Sequence, residues 1–191
     1  IYKNGHLTET LVGGVMALYC NSIRCTTNIL NNNIYENHGE KGGVIYQHSG
    51  DSSISINNNS FIDNKGKEGG IINTNAKISI INNYIKDTEA ISGGCIYTEV
   101  YSNLNCKSNK FINNKATEYG GVFKMHSREF SIKNNEFDNN KAVSGSVLYY
   151  SSLPCNNCTT NNSIIHENRF TNNKASMDGT IYINENVGIY S

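Results

Sequence analysis

Residues 109–123 read NKFINNKATEYGGVF, and this stretch sets the frame for the whole chain. An asparagine stands two residues before an apolar anchor, Phe111, a second asparagine stands three residues after it, and a Gly-Gly pair leads into further apolar residues. The same frame returns along the chain, with a weaker start, at the anchors Ile1, Ile34, Phe61, Ile85, Phe137 and Phe170. Such self-similarity indicates one structural unit stacked on copies of itself.

Three columns of equivalent positions define the repeat. The first asparagine column is unbroken and consists of Asn32, Asn59, Asn83, Asn109, Asn135 and Asn168. The second asparagine column consists of Asn4, Asn37, Asn64, Thr88, Asn114, Asn140 and Asn173. The glycine column is Gly13, Gly42, Gly69, Gly93, Gly120, Gly145 and Gly179, which gives repeats of 24–29 residues and one longer repeat of 34 residues.

The apolar residues alternate in the manner of short strands. Ile54 and Ile56, like Ile78 and Ile80, are separated by a single polar residue. A second short strand holds the anchor, and a third follows the glycines, as in residues 44–46, VIY. Three short strands per repeat predict an all-β chain, a parallel β-helix of about seven coils forming one domain over residues 1–191.

The asparagine and glycine columns have a physical reason in such a fold. Stacked coils lie about 4.8 Å apart, so a carboxamide can donate to one neighbouring copy and accept from the other. Asparagine also tolerates left-handed backbone at corners, and glycine fits where a Cβ would clash. The alternative is an asparagine-rich disordered chain, but disorder would not keep the apolar columns in register.

Composition narrows the function classes. The chain has 191 residues with 16 basic and 16 acidic side chains, so its charges predict no long-range attraction to nucleic acid or to an anionic membrane. No apolar run is long enough to span a bilayer, and no motif calls for a cofactor. Ile1 already stands in register and neither end has a polar cap, so we expect a fragment or module of a longer protein.

Six cysteines form two close pairs and one distant pair. Cys20 with Cys25, and Cys155 with Cys158, lie at the same corner of the repeat, where disulfides are the favoured interpretation and free thiols, metal binding and redox chemistry are the alternatives. The two close pairs are about five coils apart, roughly 24 Å, and so cannot share a zinc ion. The last two cysteines, Cys95 and Cys106, occupy apolar columns as buried thiols or as a third bridge.

Sequons at Asn58, Asn157 and Asn161 are glycosylation candidates.

The repeat resembles that of a known family of surface proteins. F-x-x-N segments, as at Phe61 to Asn64, alternate with GG-apolar segments in the manner of the polymorphic outer membrane proteins of chlamydiae and similar repeats in protist surface proteins. The resemblance covers nearly the whole chain, with departures at Thr88, Gly145 and Gly179. It implies a right-handed parallel β-helix at the cell surface, used for adhesion or coat structure and not as an enzyme.

Three further columns are candidate binding positions. Glu36, Asp63 and Asp87 form a carboxylate column that could be a solvated edge, a weak calcium site or the acid and nucleophile of a glycosidase. A lysine column could bind an anionic glycan or keep the surface soluble, and consists of Lys65, Lys115, Lys141 and Lys174. A tyrosine row could stack on sugar rings or on a neighbouring subunit, and consists of Tyr46, Tyr97 and Tyr149. The histidines His38, His48, His126 and His166 are read as falling in different columns, which argues against a histidine metal site.

These observations together predict an extracellular or cell-surface rod with a structural or adhesive role. A subunit of a surface coat or filament is a specific version of this prediction. Its expected partners are other copies of itself or surface and matrix glycoproteins, with a glycan as a further partner. The alternative is a carbohydrate-active or glycan-binding β-helix, since pectin-degrading enzymes share this fold and fold alone does not fix function.

Overall fold

The computed structural model describes residues 12–20, 24–48, 51–100, 102–126, 129–151 and 163–184. Within these ranges every regular element is a β-strand, and no helix is present that could cross a membrane. The predicted calls on Ile1, Asn4, Cys155, Cys158, Asn157 and Asn161 fall outside the described residues.

The strands are short and follow one another in a fixed order. In chain order they are β1 (Met16–Tyr19), β2 (Thr26–Leu30), β3 (Asn33–Tyr35), β4 (Ile45–His48), β5 (Ser53–Asn57), β6 (Ser60–Ile62), β7 (Ile72–Thr74), β8 (Lys77–Ile81), β9 (Tyr84–Lys86), β10 (Glu89–Ser92), β11 (Ile96–Thr98), β12 (Asn103–Lys107), β13 (Lys110–Ile112), β14 (Lys115–Tyr119), β15 (Phe123–Met125), β16 (Glu129–Lys133), β17 (Glu136–Asp138), β18 (Lys141–Ala142), β19 (Leu148–Ser151), β20 (Ile164–His166), β21 (Arg169–Thr171), β22 (Lys174–Ala175) and β23 (Ile181–Asn184).

Equivalent strands of successive coils pair in parallel and build long sheets. The first sheet is β2-β5-β8-β12-β16-β20, the second is β3-β6-β9-β13-β17-β21, and the third is β1-β4-β7-β11-β15-β19-β23. The register keeps each sequence column intact, as where Phe111 pairs with Ile85 on one side and with Phe137 on the other. This architecture confirms the predicted parallel β-helix.

Two details differ from the prediction. The described residues complete six coils, from β2–β4 to β20–β23, preceded by β1, because most of the first predicted coil lies outside the described ranges. A short fourth sheet, β10-β14-β18-β22, follows the second asparagine column in the later coils. The sequence signal for this sheet is weak because its inward positions hold only small residues such as Ala90 and Ala116.

The core is a set of single-file columns inside the coil. The anchor residues Phe111 and Phe137 are fully buried, and their rings stack with centroids 5.1 Å apart. Burying an apolar anchor, phenylalanine or isoleucine, in each of the first five described coils stabilises the stack by about 2 kcal/mol per side chain and fixes the register between coils. The interior is therefore continuous along the axis.

The glycine pairs mark the tightest approach between coils. A Cβ added at Gly94 would lie 2.1 Å from the carbonyl oxygen of Gly121, and one added at Gly43 would lie 2.0 Å from that of Gly70. Real side chains never approach backbone so closely, so these positions need glycine. The prediction that glycine serves where a Cβ would clash agrees with this geometry.

Candidate functional site

The first asparagine column forms a buried ladder at one corner. The side-chain nitrogen of Asn109 donates to the side-chain oxygen of Asn135 at 3.0 Å and to the carbonyl oxygen of Ile80 at 2.8 Å. Its own side-chain oxygen accepts from the backbone N–H of Asn83 at 2.8 Å. Equivalent side-chain bonds join Asn32, Asn59, Asn83, Asn135 and Asn168. The ladder stabilises the corner because each amide satisfies backbone groups that no strand reaches.

The second column is a similar ladder with one substitution. Asn37 bonds to Asn64 at 2.9 Å and Asn114 to Asn140 at 3.0 Å. At the departure from the pattern, the Thr88 hydroxyl lies 2.8 Å from the side-chain oxygen of Asn114 and so joins the ladder on that side. Asn140 in turn donates to Asn173 at 2.9 Å.

Left-handed backbone occurs one residue before each ladder asparagine. One left-handed column contains Asn31, Asn58, Asn82, Ser108, Asn134 and Glu167, and the other contains Glu36, Asp63, Asp87, Asn113, Asn139 and Asn172. The sequence-based prediction assigned hydrogen bonding and corner conformation to the same asparagines, and the structure divides these roles between adjacent residues. Short polar side chains favour such positions because they adopt left-handed backbone at the lowest cost.

The carboxylate column belongs to this second left-handed corner. Asp63 has φ of 51°, and its carboxylate lies 3.4 Å from the ammonium of Lys65. Asp87 has φ of 54° and lies 3.3 Å from Lys86. Together with Glu36, these residues therefore serve a corner of the coil, which gives the column a structural reason independent of any ligand.

The calcium interpretation of Glu36, Asp63 and Asp87 is not what the structure forms. Among the described residues, no group of three or more histidine, cysteine or acidic side chains converges to hold a metal ion. The two aspartates are each turned to a lysine, and their side chains are 49% and 41% exposed. Calcium needs several converging oxygen atoms, which a row of outward corners does not supply.

The four cysteines that the structure describes form one bridge and two free thiols. Cys20 and Cys25 form a disulfide with their Cα atoms 6.2 Å apart, which confirms the predicted staple. Cys95 and Cys106 are free and fully buried, so the third bridge is absent. They lie beside different ladders, since the Cys95 sulfur is 3.1 Å from the Thr88 hydroxyl and the Cys106 sulfur is 3.3 Å from the Asn109 amide nitrogen. Burial raises the pKa of both thiols far above the usual range, which makes them unreactive.

The lysine column is mixed in charge. In the backbone register Lys65 lies beside Glu89, and Glu89 lies beside Lys115 of the next coil. The ammonium of Lys115 forms an ion pair with the Glu89 carboxylate at 2.9 Å. Lys115, Lys141 and Lys174 then follow in register with exposed side chains. The predicted cationic row therefore exists over three coils only, and it faces solvent.

The tyrosine row lies on the outer face of the third sheet, and each of its rings contacts neighbouring side chains. The outward column of this sheet reads Ala17, Tyr46, Asn73, Tyr97, Lys124, Tyr149 and Tyr182. Tyr149 stacks on Tyr182 with ring centroids 4.7 Å apart. The ammonium of Lys124, from the preceding coil, lies 4.1 Å from the centroid of the Tyr149 ring. Tyr46 is only 6% exposed. Because these contacts occupy ring faces, the expected platform for sugar stacking is not formed at Tyr46 or Tyr149.

A compact polar cluster interrupts the tyrosine row. The Lys124 ammonium donates to the Ser151 hydroxyl at 3.0 Å, and His126 Nδ1 lies 3.0 Å from the same hydroxyl. Burial lowers the pKa of Lys124 to about 8, and burial followed by the nearby Lys124 charge lowers the pKa of His126. Burial also raises the pKa of Tyr97 and Tyr149 beside them. Perturbed titratable groups that lie together are typical of functional sites.

Sequence reasoning missed this cluster, although a signal was present. The register continues from Thr98 and Met125 to Glu99 and His126, so His48 and His126 occupy one column, three coils apart. The statement that all four histidines fall in different columns is therefore wrong for this pair. Their separation of about 14 Å still excludes a shared metal ion. Extending the tyrosine column to every coil would have revealed Lys124 in the middle of it.

The outer face of the first sheet contains a groove. It has a volume of about 460 Å³ and crosses four coils along the axis. One side is formed by Ser53, Lys77, Asn103 and Glu129, and the other by Ser55, Ser79, Asn105 and Ser131. Its sides present hydroxyl and amide groups that can hydrogen-bond with a polar ligand, while Ile54, Ile78, Leu104 and Phe130 also line the groove and most of its accessible surface is apolar.

Comparison with known proteins identifies the family. Residues 13–189 match the family described as the right-handed beta helix region. The chain belongs to the right-handed β-helix family. No curated protein and no solved structure shows significant similarity to the chain.

This right-handed β-helix family contains pectate lyase-like enzymes as well as proteins that are not enzymes. Membership is thus compatible with a surface role and with a carbohydrate-related role. For this β-helix the glycosylation candidate Asn58 is exposed at a left-handed corner, directly before the buried ladder residue Asn59.

Proposed function

We propose that this β-helix is a stiff extracellular rod with a structural or adhesive role. The observation that supports the proposal is the continuity of its axial interactions. The first asparagine ladder joins all six described coils from Asn32 to Asn168, and the stacked rings of Phe111, Phe137 and Phe170 run beside it. Interactions repeated in every coil resist bending, which is what a shaft requires.

Two further observations agree with a location outside the cell. The Cys20–Cys25 disulfide is of the kind that persists in oxidising compartments. The F-x-x-N and GG-apolar segments resemble those of the polymorphic outer membrane proteins, a family of surface proteins. In this proposal the outward columns contact other copies of the rod or surface glycoproteins.

Electron microscopy in negative stain tests the structural version. The protein is purified from its native source without reducing agent and imaged directly. Regular filaments or a surface lattice are expected for a coat or filament subunit. Dispersed short rods would contradict assembly and leave adhesion through the outward columns as the remaining version.

A second candidate is binding of a linear polysaccharide in the groove of the first sheet. The groove runs along the axis, and its hydroxyl and amide walls suit a sugar chain. Titration with a panel of neutral and acidic oligosaccharides, followed by product chromatography, separates binding from cleavage. A Ser79→Tyr variant should block the groove and abolish binding, whereas Asn113→Asp, at a corner outside the groove, should not. Binding that survives Ser79→Tyr would exclude the groove.

A further inference from the structure

Lys124 is a buried cation with no carboxylate partner. Its side chain is only 8% exposed, and its contacts are the Ser151 hydroxyl and the rings of Tyr149 and Tyr119. Within the described residues, the lysines that pair with carboxylates at the surface are Lys65, Lys67, Lys86, Lys110 and Lys115. Lys124 is the one buried lysine of the described residues, and no carboxylate among them forms an ion pair with it.

Such an arrangement is costly unless an anion completes it. An ammonium has three N–H donors, and one of those of Lys124 is directed to Ser151 while the π-face of Tyr149 partly compensates the charge. A buried charge without an opposite charge costs several kcal/mol relative to water. The reduced affinity of Lys124 for its proton has burial as its cause, with no carboxylate opposing it.

His126 and Ser151 extend the cluster toward solvent. Both side chains are half-buried, and His126 Nδ1 and Lys124 Nζ each lie 3.0 Å from Ser151 Oγ. Nδ1 also lies 3.0 Å from the Ser151 carbonyl oxygen, which can only accept, so Nδ1 carries the proton of the neutral ring. Nε2 becomes a second donor when the imidazole is protonated, which a bound anion favours. The three side chains therefore offer ammonium, hydroxyl and imidazole donors around one point, with Tyr97 packed edge-on against His126 at 6.0 Å between ring centroids.

We propose that Lys124, His126 and Ser151 form a binding site for a single oxyanion, namely a sulfate, phosphate or carboxylate group. The anion accepts hydrogen bonds from the ammonium and from an imidazole N–H. It either displaces the Ser151 hydroxyl from the ammonium or binds beside that hydroxyl. The tyrosine rings exclude water from the ammonium, which strengthens the attraction. This inference does not depend on the proposed rod function, because a small anion would bind whether or not the protein assembles.

The test is a titration observed by nuclear magnetic resonance. Sodium sulfate is added at constant ionic strength against sodium chloride while the lysine Cε and histidine ring signals are followed. Binding should move the pKa of Lys124 from about 8 toward that of an ordinary lysine, with saturable shifts at His126. The signals of Lys141, which is exposed in the lysine column, should be the same with and without sulfate.

Variants establish which atoms bind. Lys124→Met should abolish the saturable shifts at His126, while the matched Lys141→Met should retain them. Ser151→Ala and His126→Gln keep the buried charge and should each weaken sulfate binding by roughly tenfold, equivalent to about 1.4 kcal/mol. Unchanged Lys124 signals in sulfate, phosphate and acetate, or saturable shifts that persist in a folded Lys124→Met protein, would overturn the site.

The source of the anion is then resolved with matched ligands. A sulfated oligosaccharide is compared with the same oligosaccharide without sulfate and with inorganic sulfate. Tighter binding of the sulfated oligosaccharide than of inorganic sulfate would assign the site to an acidic glycan. Equal affinity would assign it to free anions and leave the proposed rod function untouched.

Discussion

The fourth described coil, β12–β15, and the sixth, β20–β23, share one sequence frame but differ in their surroundings. Phe111 in the fourth coil is fully buried between two neighbours, whereas the equivalent Phe170 is 37% exposed. The inward Phe123 is likewise fully buried, whereas the equivalent Ile181 is 36% exposed. A residue in this fold is therefore constrained by the coils on both sides of it as much as by its place in the repeat.

The glycine column shows the same contrast in the backbone. A Cβ added at Gly121 of the fourth coil would lie 2.1 Å from the carbonyl oxygen of Ser146 in the next coil. The register between Leu148 and Ile181 makes Gly179 the equivalent of Gly121, although the sequence pattern placed it in the column of Gly120, and a Cβ added at Gly179 would meet nothing closer than 3.9 Å. The same residue type in the same column is thus obligatory in one coil and exchangeable in the other.

The largest expected effect is the loss of stability on substituting the central glycine. Gly121→Ala should lower the free energy of unfolding by about 4 kcal/mol or more, because the carbonyl group of Ser146 in the next coil must move to make room for the Cβ. Gly179→Ala should change it by less than about 1 kcal/mol. Thermal unfolding followed by circular dichroism measures both. Equal losses in the two variants would contradict the contrast between the coils.

The asparagine ladder gives the next largest effect. Asn109→Ala removes an amide bonded to Ile80, Asn83 and Asn135 and should cost about 3 kcal/mol, since it leaves buried backbone groups unpaired. Asn168→Ala in the sixth coil removes bonds to Ile132 and Asn135 at a half-buried position and should cost about half as much.

Hydrogen exchange locates the ladder effect in the chain. Faster exchange of the Asn83 backbone N–H is expected in Asn109→Ala, because that N–H donates to the deleted side chain. In Asn168→Ala the equivalent change should appear at Asn135. A uniform increase across all coils would show that the ladder acts on global stability without local bonds.

These contrasts explain how much of the molecule could be predicted from its sequence. The anchor, ladder and glycine columns were predictable because every coil repeats them and each has a strict geometric requirement. The left-handed backbone at Asp63 and its equivalents could not be predicted in this way. At Asn113 and Asn114, for example, two adjacent asparagines are chemically equal, and only the backbone conformation distinguishes them. The fourth sheet was missed because small inward residues such as Ala90 give no apolar signal.

The candidate site was harder to predict for a related reason. Lys124 has the residue type of a surface lysine, and its burial comes from Tyr119 and Tyr149 in separate coils. Ser151 and His126 are brought to it by the register between β15 and β19. Repetition reveals what every coil shares, whereas this cluster depends on what one pair of coils does differently.

A smaller effect is expected from the pH dependence of Lys124. Its folded-state pKa lies at about 8, below the ordinary value of 10.5, so between these values the unfolded chain binds more protons. The contribution of Lys124 to stability should therefore rise from about pH 8 toward pH 10, because the penalty for the buried charge is lost as the folded protein deprotonates, whereas the buried thiols of Cys95 and Cys106 act in the opposite direction. Lys124→Met should raise the free energy of unfolding at pH 7 by roughly 1–2 kcal/mol, a figure reduced for partial screening by water.

The groups around Lys124 fix the window in which this is measured. Tyr119 on β14, Tyr149 and Ser151 on β19, Tyr97 on β11, and His126 after β15 surround it. The lowered pKa of His126 moves its titration to the acidic side of the window, and the raised pKa values of the tyrosines move theirs above pH 10. The raised pKa values of the Cys95 and Cys106 thiols affect the parent and both lysine variants alike. Chemical unfolding at pH 7, 8 and 9.5 should show the stability difference between Lys124→Met and the parent shrinking as the pH rises, whereas the difference between Lys141→Met and the parent should stay constant.

The smallest expected effect concerns Ser146, where the second glycine of the pair is replaced. Its hydroxyl is fully buried and has no hydrogen-bond partner, whereas the equivalent Gly121 needs no such partner and would clash if given a Cβ. Ser146→Ala keeps the Cβ that this coil already accommodates and removes the unpaired hydroxyl. It should therefore raise the free energy of unfolding by about 1 kcal/mol, while Gly121→Ala should lower it severalfold more. Destabilisation by Ser146→Ala would mean that the hydroxyl has a partner, such as a buried water, and that glycine was replaced there for a polar contact.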